Sequence, residues 1–329
     1  MNTLRKIHLY YRTQPARDRY LPGDRYIIPF LRKLIRGKKV SGIEKVFLNL
    51  CKGFDKLRVK YDINLPFQDV LDNEPVIILG NGRQSLEGYS IPNPIIAGIA
   101  LMTHPSEWPD LIENFPVVKY LQHSSWANKV YISYYGANHC QEWAAGIDTE
   151  KWKPSSSTQK TYDLLIYNKI RWQQEEMDIS LRLPILGRLD ALGISYTEII
   201  YGSYKEKDYL RLLKASRSML FLCEHESQGI ACCEALSMNV PVIAWDQGYC
   251  LDPNRFNWND PVIPATSVPF FDGRCGATFK NYDEFEAIFD MFWNKVNSGG
   301  FSPREYVLEN LSLEKSAQGM LKIVKEVYG

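Results

Sequence analysis

Residues 218–248, SMLFLCEHESQGIACCEALSMNVPVIAWDQG, constrain the chain more than any other stretch. An apolar run ends at Cys223, a polar turn occupies 224–229, a helical stretch extends to Met238, and a second apolar run opens at Pro241. Strands this uniformly apolar are buried on both faces, as in a parallel sheet, and parallel neighbours need a crossover, usually helical. The window therefore predicts a βαβ unit. In open α/β sheets ligands bind beyond the carboxyl ends of the strands, which puts the turn 224–229 at a ligand's edge. The exposed amides opening the helix at Gly229 and Ile230 suit a diphosphate. Glu226 stands at the mouth of that place. Glu234 follows about 1.4 turns into the helix, where a carboxylate can accept two ribose hydroxyls.

The same alternation extends in both directions. Residues 6–11 form a β-rich run, and Ser41-Gly42 leads into 43–54, where Ile43, Val46, Phe47, Leu50 and Phe54 fall at helical spacing. Apolar runs at 57–63, 76–79 and 117–121 continue a first parallel α/β sheet. Residues 151–160, KWKPSSSTQK, have the composition of a linker. Beyond them, strands are expected at 162–167, 197–201, 218–222 and 240–245, with helices at 207–215 and 229–238. The turn Ser298-Gly299-Gly300 precedes a closing helical region. A chain of 329 residues accommodates two domains. The expected layout is an N-terminal Rossmann-like domain at 1–150, the linker, a C-terminal Rossmann-like domain at 161–305, and the closing region at 306–329.

Net charge is +1, but residues 1–60 carry sixteen Lys and Arg against four Asp and Glu, leaving the remainder strongly acidic. That asymmetry points to an anionic partner, either a phosphate-rich ligand or a membrane surface. The stretch 25–39, RYIIPFLRKLIRGKK, is compatible with an interfacial helix on an anionic membrane; a solvated basic face is the alternative. No nucleic-acid-binding signature accompanies it, so nucleic acid is not an expected partner. The most apolar stretch, 94–102, is far shorter than a membrane span, and the N-terminus does not read as a secretory signal. Seven cysteines without a C-x-x-C pair argue against a disulfide framework or a zinc site. The five histidines suggest no metal site: His8, His123 and His139 read as structural, and His225 as orienting the turn. The expected location is the cytosol, with peripheral attachment to the inner face of the membrane.

The pattern E-S-x-G-x-x-x-x-E-A-L-S-x-x-V-P-V-I-A-x-D from Glu226 to Asp246 resembles the E-x7-E signature of retaining GT-B glycosyltransferases of the glycogen-synthase-like class. Ser41-Gly42-Ile43-Glu44-Lys45 resembles that family's Gly-Gly loop and first helix. Gly146-Ile147-Asp148 with Trp152 and Pro154 resembles its interdomain signature. The resemblance implies a GT-B fold: two Rossmann-like domains facing each other across a cleft, with the C-terminal helix returning to the N-domain. It implies transfer of a hexose-type sugar, with retention and without a metal or other cofactor, from a UDP- or GDP-linked donor to a hydroxyl acceptor. The basic N-terminus favours a lipid-linked or surface glycan as that acceptor.

Carried over by position, Glu226 contacts the donor sugar and Glu234 the ribose, while the amides of Gln228, Gly229 and Ile230 meet the sugar or diphosphate with Ser227 nearby. Lys169 takes the place of the family's diphosphate-binding Arg. The family's second cation has no clean match, so Arg171 is its substitute, and Asn168 adjoins the pair. Tyr204 lies near the base or is a core tyrosine. His104 matches a histidine that the family often places near the transferred sugar. Ser41 and Gly42 form a phosphate-facing loop or an ordinary helix cap. Asp246-Gln247-Gly248 touches acceptor or sugar, or is a plain turn. Two other readings stand beside the transferase: a catalytically silent sugar-nucleotide-binding scaffold subunit, and a GT-B nucleotide-sugar epimerase.

Overall fold

The structure, a computed structural model, describes residues 6–12, 41–155, 158–253 and 262–329. The basic stretch 25–39 lies outside the described residues. The chain divides into two compact units, one formed by the described residues within 1–122, 131–141 and 317–329, the other within 123–130 and 142–316.

The first unit is built on a six-stranded sheet: β1 (Ile7–Tyr10), β2 (Tyr61–Ile63), β3 (Val76–Asn81), β4 (Ile95–Ala100), β5 (Val117–Gln122) and β6 (Cys140–Glu142), in the order β2-β1-β3-β4-β5-β6. The pairs from β2 through β5 are parallel. Residues 57–63 were expected to be one strand, but only Tyr61–Ile63 pairs. The preceding helix Gly42–Lys56 runs on to residue 56, and Arg58 turns the chain with a left-handed φ of 57°. That helix buries Val46, Phe47, Leu50 and Phe54, four of its five expected apolar positions. The most apolar stretch of the sequence supplies β4.

The second unit has five parallel strands, β7 (Tyr162–Lys169), β8 (Tyr196–Ile200), β9 (Ser216–Cys223), β10 (Val242–Trp245) and β11 (Gly276–Phe279), in the order β11-β10-β9-β7-β8. Alternation along each strand feeds two cores. Leu165, Tyr167, Met219, Phe221 and Val242 pack with Leu212, Leu213 and Leu236 on one face. Leu164, Ile166, Leu220, Leu222 and Ile243 pack with Ile185, Leu189, Phe285 and Phe289 on the other. Helices thus cover both faces, which is why these strands read as continuous apolar runs. Strand order reverses at β7, with β8 on one side and β9 on the other, and Lys169 is in register with Cys223 at the carboxyl edge. A reversal of this kind opens a crevice at the strand ends.

Trp152, within 151–160, is 2% exposed, and its carbonyl accepts from Ser237 Oγ at 2.6 Å and Arg304 Nη1 at 3.1 Å. The closing region resolves into helices Pro303–Asn310 and Leu313–Tyr328. Residues 317–329 belong to the first unit, where the Tyr328 hydroxyl accepts from the Val76 amide at 3.1 Å and donates to the Pro94 carbonyl. The C-terminal helix therefore returns to the N-terminal unit, as expected. All seven cysteines are free and buried. Among the described residues no helix is long and apolar enough to cross a membrane.

Candidate active site

The carboxyl ends of β7 and β9 bring together Lys169, Glu224, His225 and Glu226. Lys169 ends β7, and its ammonium forms an ion pair with Glu226 Oε1, the two side chains being 11% and 18% exposed. The Lys169 Nζ also lies 4.5 Å from the centre of the Tyr201 ring. Burial works against the lysine's charge, but the neighbouring Glu226 carboxylate outweighs it, and the net effect raises the lysine's pKa. Lys169 is held as a cation.

Glu226 is fixed on three sides. Its amide donates to the Thr266 carbonyl at 3.0 Å, its carbonyl accepts from Trp126 Nε1 at 2.9 Å, and Cys223 Sγ approaches Oε1 at 3.7 Å. His225 beside it stacks on Trp172, with centroids 5.3 Å apart and planes at 7°, and meets the Trp126 ring edge-on at 5.6 Å. Burial pushes the imidazole down to about 4, against the pull of Glu226 and Asp252, so the ring is neutral at pH 7. Its Nδ1 lies 3.5 Å from the Leu251 amide.

Glu224 is 1% exposed, and its Oε1 accepts from the amides of Arg171 at 2.6 Å and Trp172 at 3.0 Å. Residues 224–226 follow directly on β9, which ends at Cys223.

The helix after the turn, Ile230–Ser237, starts at Gly229, whose φ of 67° and ψ of 43° put it in the left-handed region that glycine adopts without strain. Gln228 locks this turn: its side-chain oxygen accepts from the Ala145 amide at 2.8 Å, and its nitrogen donates to the Ala145 carbonyl at 3.3 Å. Ser227 is half-buried, and Glu234 is 3% exposed within the helix. Asp246, ending the next strand-to-loop switch, accepts from Thr266 Oγ1 at 2.6 Å and the Ser267 amide at 3.1 Å, bracing the segment that receives the Glu226 amide.

Other expected residues have different surroundings. The Asn168 side chain donates to Glu198 Oε1 at 3.0 Å and accepts from the Ile170 amide at 3.2 Å. Arg171 is exposed, its guanidinium lying 4.5 Å over the Trp172 ring. The Tyr204 hydroxyl bonds to that of Tyr167 at 2.7 Å, within the packed aromatic group of the core. Tyr201, 51% exposed, is the open aromatic surface next to Lys169. In the first unit, Ser41 is the N-cap of helix Gly42–Lys56, its Oγ accepting from the Glu44 amide at 3.1 Å, and Gly42 has nothing within 4 Å of where a Cβ would stand. His104, also in the first unit, is 1% exposed and accepts at Nδ1 from the Ser106 amide at 3.2 Å, capping the short helix Pro105–Glu107. Among the described residues no group of three or more His, Cys, Asp or Glu is arranged to hold a metal ion.

Trp126, Trp172, Tyr201 and Glu224 received no role in the sequence reading. Glu224 directly follows the apolar run that ends at Cys223, which was the available signal for one of them; the aromatic partners come from other segments of the chain.

By sequence, no protein-family model and no curated protein matches the chain. Solved structures do resemble it. The GtfA/B complex aligns with a TM-score of 0.53 at 12% identity, covering 79% of this chain and 58% of that one. The lipopolysaccharide outer core galactosyltransferase WaaB aligns at 0.51 and 12% identity, over 98% of this chain and 99% of that one. WaaG, a glycosyltransferase involved in lipopolysaccharide biosynthesis, aligns at 0.51 and 9% identity, over 97% and 99%. The chain thus spans little more than half of the first of these and nearly all of the other two. At such identities the likeness is one of fold, and with two parallel-sheet units the chain has the GT-B fold.

Proposed function

We propose that the chain is a glycosyltransferase that moves a hexose-type sugar, with retained anomeric configuration, from a UDP- or GDP-linked donor to a hydroxyl acceptor. One juxtaposition supports this reading above the rest: the Lys169–Glu226 pair stands at the β7/β9 switch point, beside the amide-bearing start of helix Ile230–Ser237. As the glycosidic bond breaks, negative charge builds on the leaving diphosphate. A fixed cation and pre-aimed amides stabilise that charge more than they stabilise the ground state. In this reading Lys169 leaves Glu226 for the diphosphate, and Glu226 turns to the donor sugar's hydroxyls. Glu234 takes the ribose, and Tyr201 offers a face to the base. Lys169 and the amides supply the positive charge, so the transfer proceeds without a metal.

The acceptor in this proposal is a lipid-linked or surface glycan, met at the cytoplasmic face of a membrane to which the basic residues of 1–60 attach. Replacing Arg32, Lys33, Arg36, Lys38 and Lys39 by Gln is expected to abolish sedimentation with anionic vesicles; binding indifferent to these charges would refute the attachment.

The nucleotide assignment is tested by calorimetry and thermal shift with UDP, GDP and their sugar conjugates, on the wild type and on Glu234→Ala. At 100 times its dissociation constant a true ligand stabilises the fold by about 2.7 kcal/mol, and the variant is expected to bind at least about tenfold more weakly. If neither nucleotide family binds, the assignment fails. The exposed position of Arg171, lying on Trp172, favours one second reading: a subunit that binds the sugar nucleotide without turning it over. Binding without transfer or epimerised product would select that reading.

A further inference from the structure

Glu224 lies next to the proposed machinery without belonging to it. Its Oε1 receives two amides from residues 171 and 172, while its Oε2 is closed to solvent and has no hydrogen-bond partner. A carboxylate oxygen left bare in the interior is costly, and this chain keeps it. The two amides that Oε1 receives belong to the turn that follows Lys169 directly. The same turn carries Trp172, whose ring stacks on His225, the residue between the two glutamates. Residues 169–172 and 224–226 therefore grip each other at three points: Glu224 on the backbone, Trp172 on His225, and Lys169 on Glu226.

We propose that Glu224 is a positioning residue, holding the 169–172 turn by its backbone so that the Lys169 ammonium stays at the β7/β9 switch point. This rests on the reading of Lys169 as the cation that meets the diphosphate. What matters is reach: Oε1 must arrive at two adjacent amides at once. A glutamine keeps that reach and that acceptor while losing the charge. An aspartate keeps the charge and falls one methylene short. Alanine supplies neither.

The experiment is competitive acetylation of the full chain at pH 9 with acetic anhydride, read by peptide mass spectrometry. Lys153, 61% exposed, serves as internal standard. In the wild type, Lys169 is covered and paired, and is expected to react far more slowly than Lys153. Losing both amide bonds should raise the relative rate at Lys169 by about tenfold or more in Glu224→Asp and Glu224→Ala, whereas Glu224→Gln stays within about twofold of wild type. Thermal melts establish that each variant is folded, and the conservative Asp and near-isosteric Gln variants decide the matter even if the alanine variant does not fold. Equal labelling in all folded variants overturns the proposal. So does the opposite order, with Asp like wild type and Gln released, because charge would then be acting instead of reach. UDP and GDP titrations on the same four proteins separate the two readings. Affinities that follow the labelling order support both. The labelling order without nucleotide binding by the wild type leaves the brace standing and removes the nucleotide.

Discussion

Lys169 keeps its charge where burial opposes it, and the chief cause is the neighbouring Glu226 carboxylate. Without the lysine, Glu226 is a mostly buried carboxylate lacking a cation. Lys169→Met is therefore expected to cost about 2 kcal/mol of stability, and Glu226→Gln in the same background to recover most of it. Urea denaturation of the four proteins of that cycle measures the coupling. Two histidines of the second unit make stability depend on pH in a definite direction. Burial holds His225 down at about 4 and His123 likewise at about 4, from an ordinary 6.5. In an unfolded chain both rings take up protons below about pH 6.5, while the native rings stay neutral until about pH 4. Their stabilisation is thus full above that upper value and is lost as pH falls through the interval, at about 1.4 kcal/mol per pH unit for each ring. Between pH 6 and pH 5 the fold should lose about 2 kcal/mol from these two rings together, and His225→Gln should remove roughly half of that slope. Glu226 and Glu234 stood out in the sequence because a strand, a glycine and a helix frame them within one short window. Trp126 was not, because it reaches the Glu226 carbonyl from one hundred residues away.

At the scale of elements, the edge of the second sheet depends on one glycine. Gly276 opens β11 with φ of 150°, and a Cβ there would stand 1.8 Å from the Val242 carbonyl oxygen of β10. Gly276→Ala should push the strands apart and cost more than about 3 kcal/mol in a denaturation experiment. Gly42→Ala, in open space at a helix start, is expected to be neutral or slightly stabilising, by up to about 0.5 kcal/mol. The sequence made a loop glycine of Gly42 and was silent on Gly276. The reason is physical: strain belongs to the approach of β10 and β11, a pairing across more than thirty residues that no local pattern encodes. Strands β7, β9 and β10 were legible because burial on both faces gives each an unbroken run of at least four apolar residues. Strand β11, with four residues beginning in glycine, has no such run. Helix Tyr282–Asn297 does carry a signal, Phe285, Phe289 and Phe292 at helical spacing, and all three are buried.

At the scale of the whole molecule, the chain's last residues complete its first unit. The Tyr328 hydroxyl satisfies the Val76 amide, at the start of β3, and the Pro94 carbonyl just before β4. Tyr328→Phe leaves both without that partner and should cost about 2 kcal/mol, with faster hydrogen exchange at Val76 as the local signature. The two-unit α/β design was readable from the run of strands and helices, and the return of the C-terminal helix was implied by family resemblance alone. The seven thiols have a consequence of another kind. None is in a disulfide and all are buried, Cys51 and Cys140 in the first unit and the other five in the second. A thiol-specific alkylating reagent can reach them only while the surrounding structure is open. Mass-resolved alkylation over time therefore records two separate chronometers in a single chain, one for each unit, without introducing a probe.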